Sequence, residues 1–110
     1  MAKIDNGVEE LSENQFDGFV SKGIKLVDFF AEWCMPCVMM APVIDELSYV
    51  FKKKIEFGKV NVDDNRSLAG KFNVMSIPTL IIFKDSKEIG RITGAMQQEQ
   101  LEEKLNGFLK

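Results

Sequence analysis

The chain has no histidine and only two cysteines in 110 residues. Without an imidazole, a Cys–His nucleophilic pair is excluded. So is c-type haem attachment, because Val38 follows Cys37 where a histidine is required. A closed zinc site takes about four ligands, and two thiols with no imidazole do not supply them, so no metal is expected. Basic tracts are also missing: 14 Lys and Arg stand against 17 Asp and Glu, for a net charge of −3 and a pI near 5.0. That balance argues against nucleic acid or an anionic membrane as the main partner. The apolar runs are strand-sized, far short of the roughly 20 residues that cross a bilayer. The start, Met1-Ala2-Lys3-Ile4-Asp5-Asn6-Gly7, lacks the apolar stretch of a signal peptide, so a cytoplasmic location is expected.

What remains is an ordinary soluble composition, 45% hydrophobic and 28% charged, with no internal repeat, low-complexity tract or linker. Residues 1–110 are expected to form one domain whose core needs neither metals nor several disulfides.

Both cysteines lie in Trp33-Cys34-Met35-Pro36-Cys37, where a strand is expected to hand over to a helix. A C-x-x-C pair at that junction is suited to reversible dithiol–disulfide chemistry. The first thiol falls in the opening turn, where unpaired backbone N–H groups and the positive end of the helix dipole stabilise a thiolate. The second comes one turn later, within reach of a mixed disulfide formed on the first. The bland alternative is two unrelated buried cysteines.

Ser12-x-x-Gln15 reads as a capping box opening a short helix that buries Phe16, Phe19 and Val20. Lys25 to Ala31 reads as a strand apolar on both faces, hence central, with Asp28 as its one anomaly. Met40, Val43, Ile44, Leu47, Val50 and Phe51 recur at helical spacing, and Pro42 inside that helix predicts a kink. Ile55 to Val62 reads as a strand, and Asn65 to Lys71 as a short helix. Thr79 to Phe83 and Glu88 to Thr93 read as two strands joined at Asp85-Ser86. Leu101, Leu105, Phe108 and Leu109 mark a closing helix. The order β-α-β-α-β-α-β-β-α implies an α/β fold with a mixed sheet covered on both faces.

At this point the sequence resembles the thioredoxin family. Val27-Asp28-Phe29-Phe30-Ala31-Glu32-Trp33-Cys34-x-Pro36-Cys37 looks like the active-site signature. Ala41-Pro42, Lys59-Val60-Asn61-Val62-Asp63, Ile77-Pro78-Thr79 and Gly94 match further family segments in the right order, from about Val8 onward. The resemblance implies the thioredoxin fold, a central mixed five-stranded sheet flanked by four helices. It implies a protein-disulfide reductase with Cys34 as nucleophile and Cys37 as resolving thiol, needing no cofactor. Pro78 would be a cis-proline facing the disulfide, Asp28 the buried acid behind it and Lys59 the partner of Asp28. Trp33, Ile77 and Gly94 would line the substrate groove; apart from the resemblance, Met35, Pro36 and Met75 are also substrate-binding candidates. The implied partners are disulfide-containing client proteins and a thioredoxin reductase as electron donor, with the protein itself a monomer.

Strand alternation puts Leu26, Asp28 and Phe30 on one face, and Ile55, Phe57 and Lys59 on one face of the next strand. Burial raises the pKa of a carboxyl such as Asp28, and an inward-leaning Lys59 tempers the rise. With no histidine present, Asp28 is the best-placed general base for Cys37, the alternative being a structural ion pair with Lys59. Met35, Met75 and Met96 are expected to form a pliable apolar rim around the redox centre, or else to be ordinary core and surface methionines. Many thioredoxins carry glycine where Met35 stands, lysine where Val38 stands and tryptophan where Phe30 stands. Losing that lysine leaves more of the thiolate stabilisation to the helix end.

Three competing functions are glutaredoxin-like reduction of glutathione mixed disulfides, a thioredoxin-fold binding subunit with an incidental disulfide, and an oxidising or isomerising role. The cytoplasmic expectation weakens the last of these.

Overall fold

The central strand β3, Ile24–Phe30, is buried through Leu26, Val27, Asp28 and Phe29. It has hydrogen-bonded strands on both sides and helices on both faces, which is why its sequence is apolar without alternation. The structure is a computed structural model that describes residues 7–110 together with the backbone of Ile4 and Asp5. The rest of the Met1–Gly7 start, on which the expectation about location rests, lies outside the described residues.

The sheet runs β1-β2-β4-β3-β5-β6, where β1 is Ile4–Asp5, β2 Val8–Glu10, β4 Glu56–Asn61, β5 Thr79–Lys84 and β6 Lys87–Thr93. β2, β4 and β3 are parallel, whereas β5 and β6 add antiparallel strands on the other side. The five expected strands are all present, and the two-residue β1 extends the edge by pairing antiparallel to β2. Asp85 and Ser86, with φ of 50° and 76°, form the two-residue hairpin turn between β5 and β6, matching the twist of the flanking strands.

Four helices cover this sheet. Helices α1 (Glu13–Val20) and α3 (Arg66–Lys71) lie on the face where Phe16, Val20 and Leu68 pack on Val27, Phe29, Val60, Ile81 and Phe83. Gln15 opens α1 as expected, its side-chain oxygen accepting the Ser12 N–H at 2.9 Å. On the opposite face, α2 (Met35–Val50) and α4 (Gln98–Phe108) bring Met40, Ile44, Leu47, Leu101 and Leu105 onto Leu26, Phe57, Leu80 and Ile82. Pro42 lies inside α2, so the amide that would reach the Val38 carbonyl is absent. Leu26 and Asp28 face α2 and α4, which places a carboxylic acid on an otherwise apolar surface.

Candidate active site

Four residues separate β3 from α2, and the last of them, Cys34, is the N-cap of α2. Its N–H donates to the Ala31 carbonyl at 3.2 Å and its carbonyl accepts from Val38 N–H at 3.0 Å. Pro36 sits in the first turn, where a missing N–H costs nothing. Cys37 N–H, one of the amides without a helical partner, donates to Cys34 Sγ at 3.3 Å. No acidic residue occupies the first turn of α2 to oppose negative charge on that sulfur. Cys34 and Cys37 are joined in a disulfide with their Cα atoms 5.2 Å apart. Both are buried in a small cluster with Ala31, against Phe30, Val62 and Ile77. The pair stands at the carboxyl end of a parallel strand, where open α/β sheets hold their ligands.

The Ile77–Pro78 peptide is cis and presents the Ile77 carbonyl oxygen 3.8 Å from Cys34 Sγ. This loop is tied at both sides. Thr79 Oγ1 donates to the Ser76 carbonyl at 2.6 Å, and Gly94 N–H donates to the Pro78 carbonyl at 2.8 Å. Gly94 makes that bond with φ at +92°, a conformation that L side chains rarely adopt. Its contribution is thus to the backbone of the Pro78 loop.

A cleft opens beside the disulfide, lined by Trp33, Cys34, Met35, Pro36, Val62, Val74, Met75, Ser76 and Ile77. Six of the sequence-derived site residues meet there; Pro78 is buried below them. Met96 does not line this cleft. It lines a second groove with Met39, Met40, Val43 and Ala95, across the ridge formed by Met35 and Pro36. Its N–H donates to Met40 Sδ at 3.4 Å, so Met96 is partly drawn into the core.

Asp28 is buried, and its Oδ1 has no hydrogen-bond partner among the described residues. Loss of solvation raises its pKa from 3.8 to about 7; the charge of Lys59 opposes the rise and that of Asp45 on α2 adds to it. Lys59 is the residue beside Asp28 in the β3–β4 register, and its Nζ lies 5.6 Å from the centre of the Phe30 ring. The carboxyl is therefore neither a fixed anion nor a permanent acid near neutral pH.

One chain of contacts behind Trp33 was not anticipated. Trp33 Nε1 donates to Asp63 Oδ2 at 2.7 Å, and Asp63 N–H donates to Asn61 Oδ1 at 2.9 Å. Asn65 Nδ2 donates to the Asn61 carbonyl at 3.0 Å, while Asn65 Oδ1 accepts the Glu13 N–H at 3.1 Å. This chain of bonds ties the exposed indole to the end of β4 and to the start of α1. Trp33 is the only tryptophan, so tryptophan emission comes from this position alone. Asp63→Ala is expected to lower the anisotropy of Trp33 emission while costing no more than about 1 kcal/mol of stability in urea unfolding. Unchanged anisotropy would show that packing, and not this hydrogen bond, holds the ring.

The family model described as thioredoxin matches residues 7–107. The chain belongs to the thioredoxin family. It is 44% identical to a thioredoxin of Staphylococcus haemolyticus and 43% identical to thioredoxins of Staphylococcus epidermidis and Staphylococcus aureus. Each alignment covers 102 residues, 93% of this chain and 98% of the relative. With its cysteine pair at bonding distance, this member of the thioredoxin family is a thiol–disulfide oxidoreductase of the disulfide-reductase type. Among the described residues no group of His, Cys, Asp and Glu is arranged to hold a metal ion, and no helix is long and apolar enough to cross a membrane.

Proposed function

We propose that the protein is a general reductant of protein disulfides, with Cys34 as the nucleophile and Cys37 as the resolving thiol. The observation that carries this reading is the cysteine pair at the start of α2, with Cys34 opening onto an apolar cleft beside the Ile77 carbonyl. In the reduced protein, Cys34 thiolate attacks one sulfur of a client disulfide. A mixed disulfide forms and the first client thiolate leaves. Cys37 then loses its proton and attacks Cys34 Sγ, releasing the second client thiolate. The client gains two electrons, and the protein ends in the Cys34–Cys37 disulfide state described above.

Asp28 is the proton acceptor for Cys37 in the second step. A carboxyl with a pKa of about 7 can both take up and release a proton at neutral pH. Lys59 keeps that value from rising further. Trp33, Met35, Pro36, Met75 and Ile77 form the walls that receive the client. Pro78 holds the Ile77 backbone against an extended client segment, as in strand addition, and Gly94 braces Pro78. The protein works as a single domain over residues 1–110, as a cytoplasmic monomer, with a separate thioredoxin reductase returning it to the dithiol.

The test is reduction of insulin disulfides driven by NADPH through a flavin-dependent thioredoxin reductase. Turnover that depends on Cys34 is expected. Turnover that instead requires glutathione would overturn the reading in favour of glutaredoxin-like chemistry. Full function of a Cys34→Ser, Cys37→Ser double variant in its native assembly would make the protein a binding subunit.

A further inference from the structure

Among the described residues, eight large apolar side chains are exposed; Trp33, Met35 and Met75 line the cleft beside the disulfide, Met39 lines the adjoining groove that shares Met35 and Pro36, and Val38 directly follows Cys37. Three of these are methionines, with exposures of 66%, 69% and 84% for Met35, Met39 and Met75. Met40, one residue on, is only 2% exposed. A thioether is apolar and pliable, which suits a surface that must fit varied client segments. It is also the one apolar side chain that a mild oxidant turns polar.

Resting on the reductase reading above, we propose that Met35, Met39 and Met75 form a peroxide-sensitive rim whose oxidation to sulfoxide reversibly weakens the binding of disulfide-bearing protein segments. In the step itself, a sulfur lone pair attacks one oxygen of hydrogen peroxide and the O–O bond breaks. Sulfur gains the oxygen and is oxidised by two electrons, and water leaves. The product has a strong dipole and a new hydrogen-bond acceptor, which binds water and opposes burial under an apolar client. Met35 is the most consequential of the three, because it lines both the cleft that holds Cys34 and the groove that holds Met39. The site chemistry is untouched: Cys34 and Cys37 are protected from peroxide while they remain bonded to each other. Small disulfides that need no rim contact therefore remain substrates.

The experiment treats the full-length disulfide form with hydrogen peroxide, removes the oxidant and maps sulfoxides by peptide mass spectrometry. Met35, Met39 and Met75 are expected to oxidise at least tenfold faster than Met40. KM for insulin should rise about tenfold, while turnover of a small aromatic disulfide stays within twofold. Methionine sulfoxide reductases supplied with dithiothreitol should restore the original KM. A Met35→Leu, Met39→Leu, Met75→Leu variant, compared with its own untreated activity, should lose nothing on peroxide treatment. Oxidation of Met40 at the same rate, an unchanged KM, or equal loss on both substrates would overturn the proposal. Failure of the untreated protein to reduce insulin would instead overturn the reductase reading, while the order of sulfoxide formation would still test the exposure of the rim.

Discussion

Cys37→Ser is expected to turn the protein into a trap, accumulating a covalent complex with disulfide clients and losing about 10³-fold or more in turnover. The magnitude comes from replacing an intramolecular step. With Cys34 and Cys37 one turn apart on α2, the second thiol acts at an effective concentration far above that of any free thiol. A serine hydroxyl is not a nucleophile of comparable strength at neutral pH, so the mixed disulfide waits for an external thiol. The choice of Cys34 as the trapping residue follows from the cleft: both cysteines are buried in the cluster with Ala31, but Cys34 lines the cleft and Cys37 does not. Non-reducing electrophoresis and intact mass should show one client per chain for Cys37→Ser and none for Cys34→Ser. Capture by Cys34→Ser alone would reverse the two roles.

The second large effect concerns Asp28. Its pKa is about 7 in the folded chain and 3.8 in the ordinary state that the unfolded chain approaches. Between those values the native state binds more protons than the unfolded one, so stability declines as pH rises through this window and levels off above it. The full difference is worth roughly 4 kcal/mol, and the part lying between pH 5 and pH 8.5 roughly 2–3 kcal/mol. Asn has the shape of Asp and no charge to bury. Asp28→Asn is therefore expected to raise stability relative to the parent by about 2–3 kcal/mol more at pH 8.5 than at pH 5, measured by urea unfolding. The same change removes the proton acceptor, and turnover near pH 7 should fall on the order of 10²-fold. A stability difference that is flat with pH would assign the titration to another group. A stabilised variant with unimpaired turnover would leave Asp28 without its proposed role.

Features set by local chemistry were legible in the chain. The run of β3, apolar on both faces, announced a central strand, Asp85-Ser86 announced a tight hairpin, and Ser12 with Gln15 marked the start of α1. The odd acid within β3 stood out for the same reason, because nothing else on that strand is polar between Lys25 and Ala31. Features built from distant segments were not legible. β1 is two residues long, too short for a periodicity. The bonds linking Trp33, Asp63, Asn61, Asn65 and Glu13 join side chains and backbone amides up to 52 residues apart, and no single window of sequence contains them. The cis geometry before Pro78 came through family resemblance alone, since X–Pro bonds are mostly trans. Met39 falls outside the buried spacing that begins at Met40, but only the packed helix shows that it lines a groove with Met35 and Met96.

The position of both cysteines within one turn of α2 has an energetic corollary. Cross-links stabilise folds by closing loops in the unfolded chain, and the gain grows with the length enclosed. A separation of three positions encloses almost nothing, for a chain-entropy gain of about 2 kcal/mol against nearly 5 for a span of a hundred residues. Most of the architecture is anchored elsewhere, through Leu26, Leu47, Phe57 and Leu101. The molecule thus behaves as a two-electron capacitor whose casing is nearly indifferent to charging. Each delivery and recovery of its electrons changes the stability of the fold by only about 2 kcal/mol.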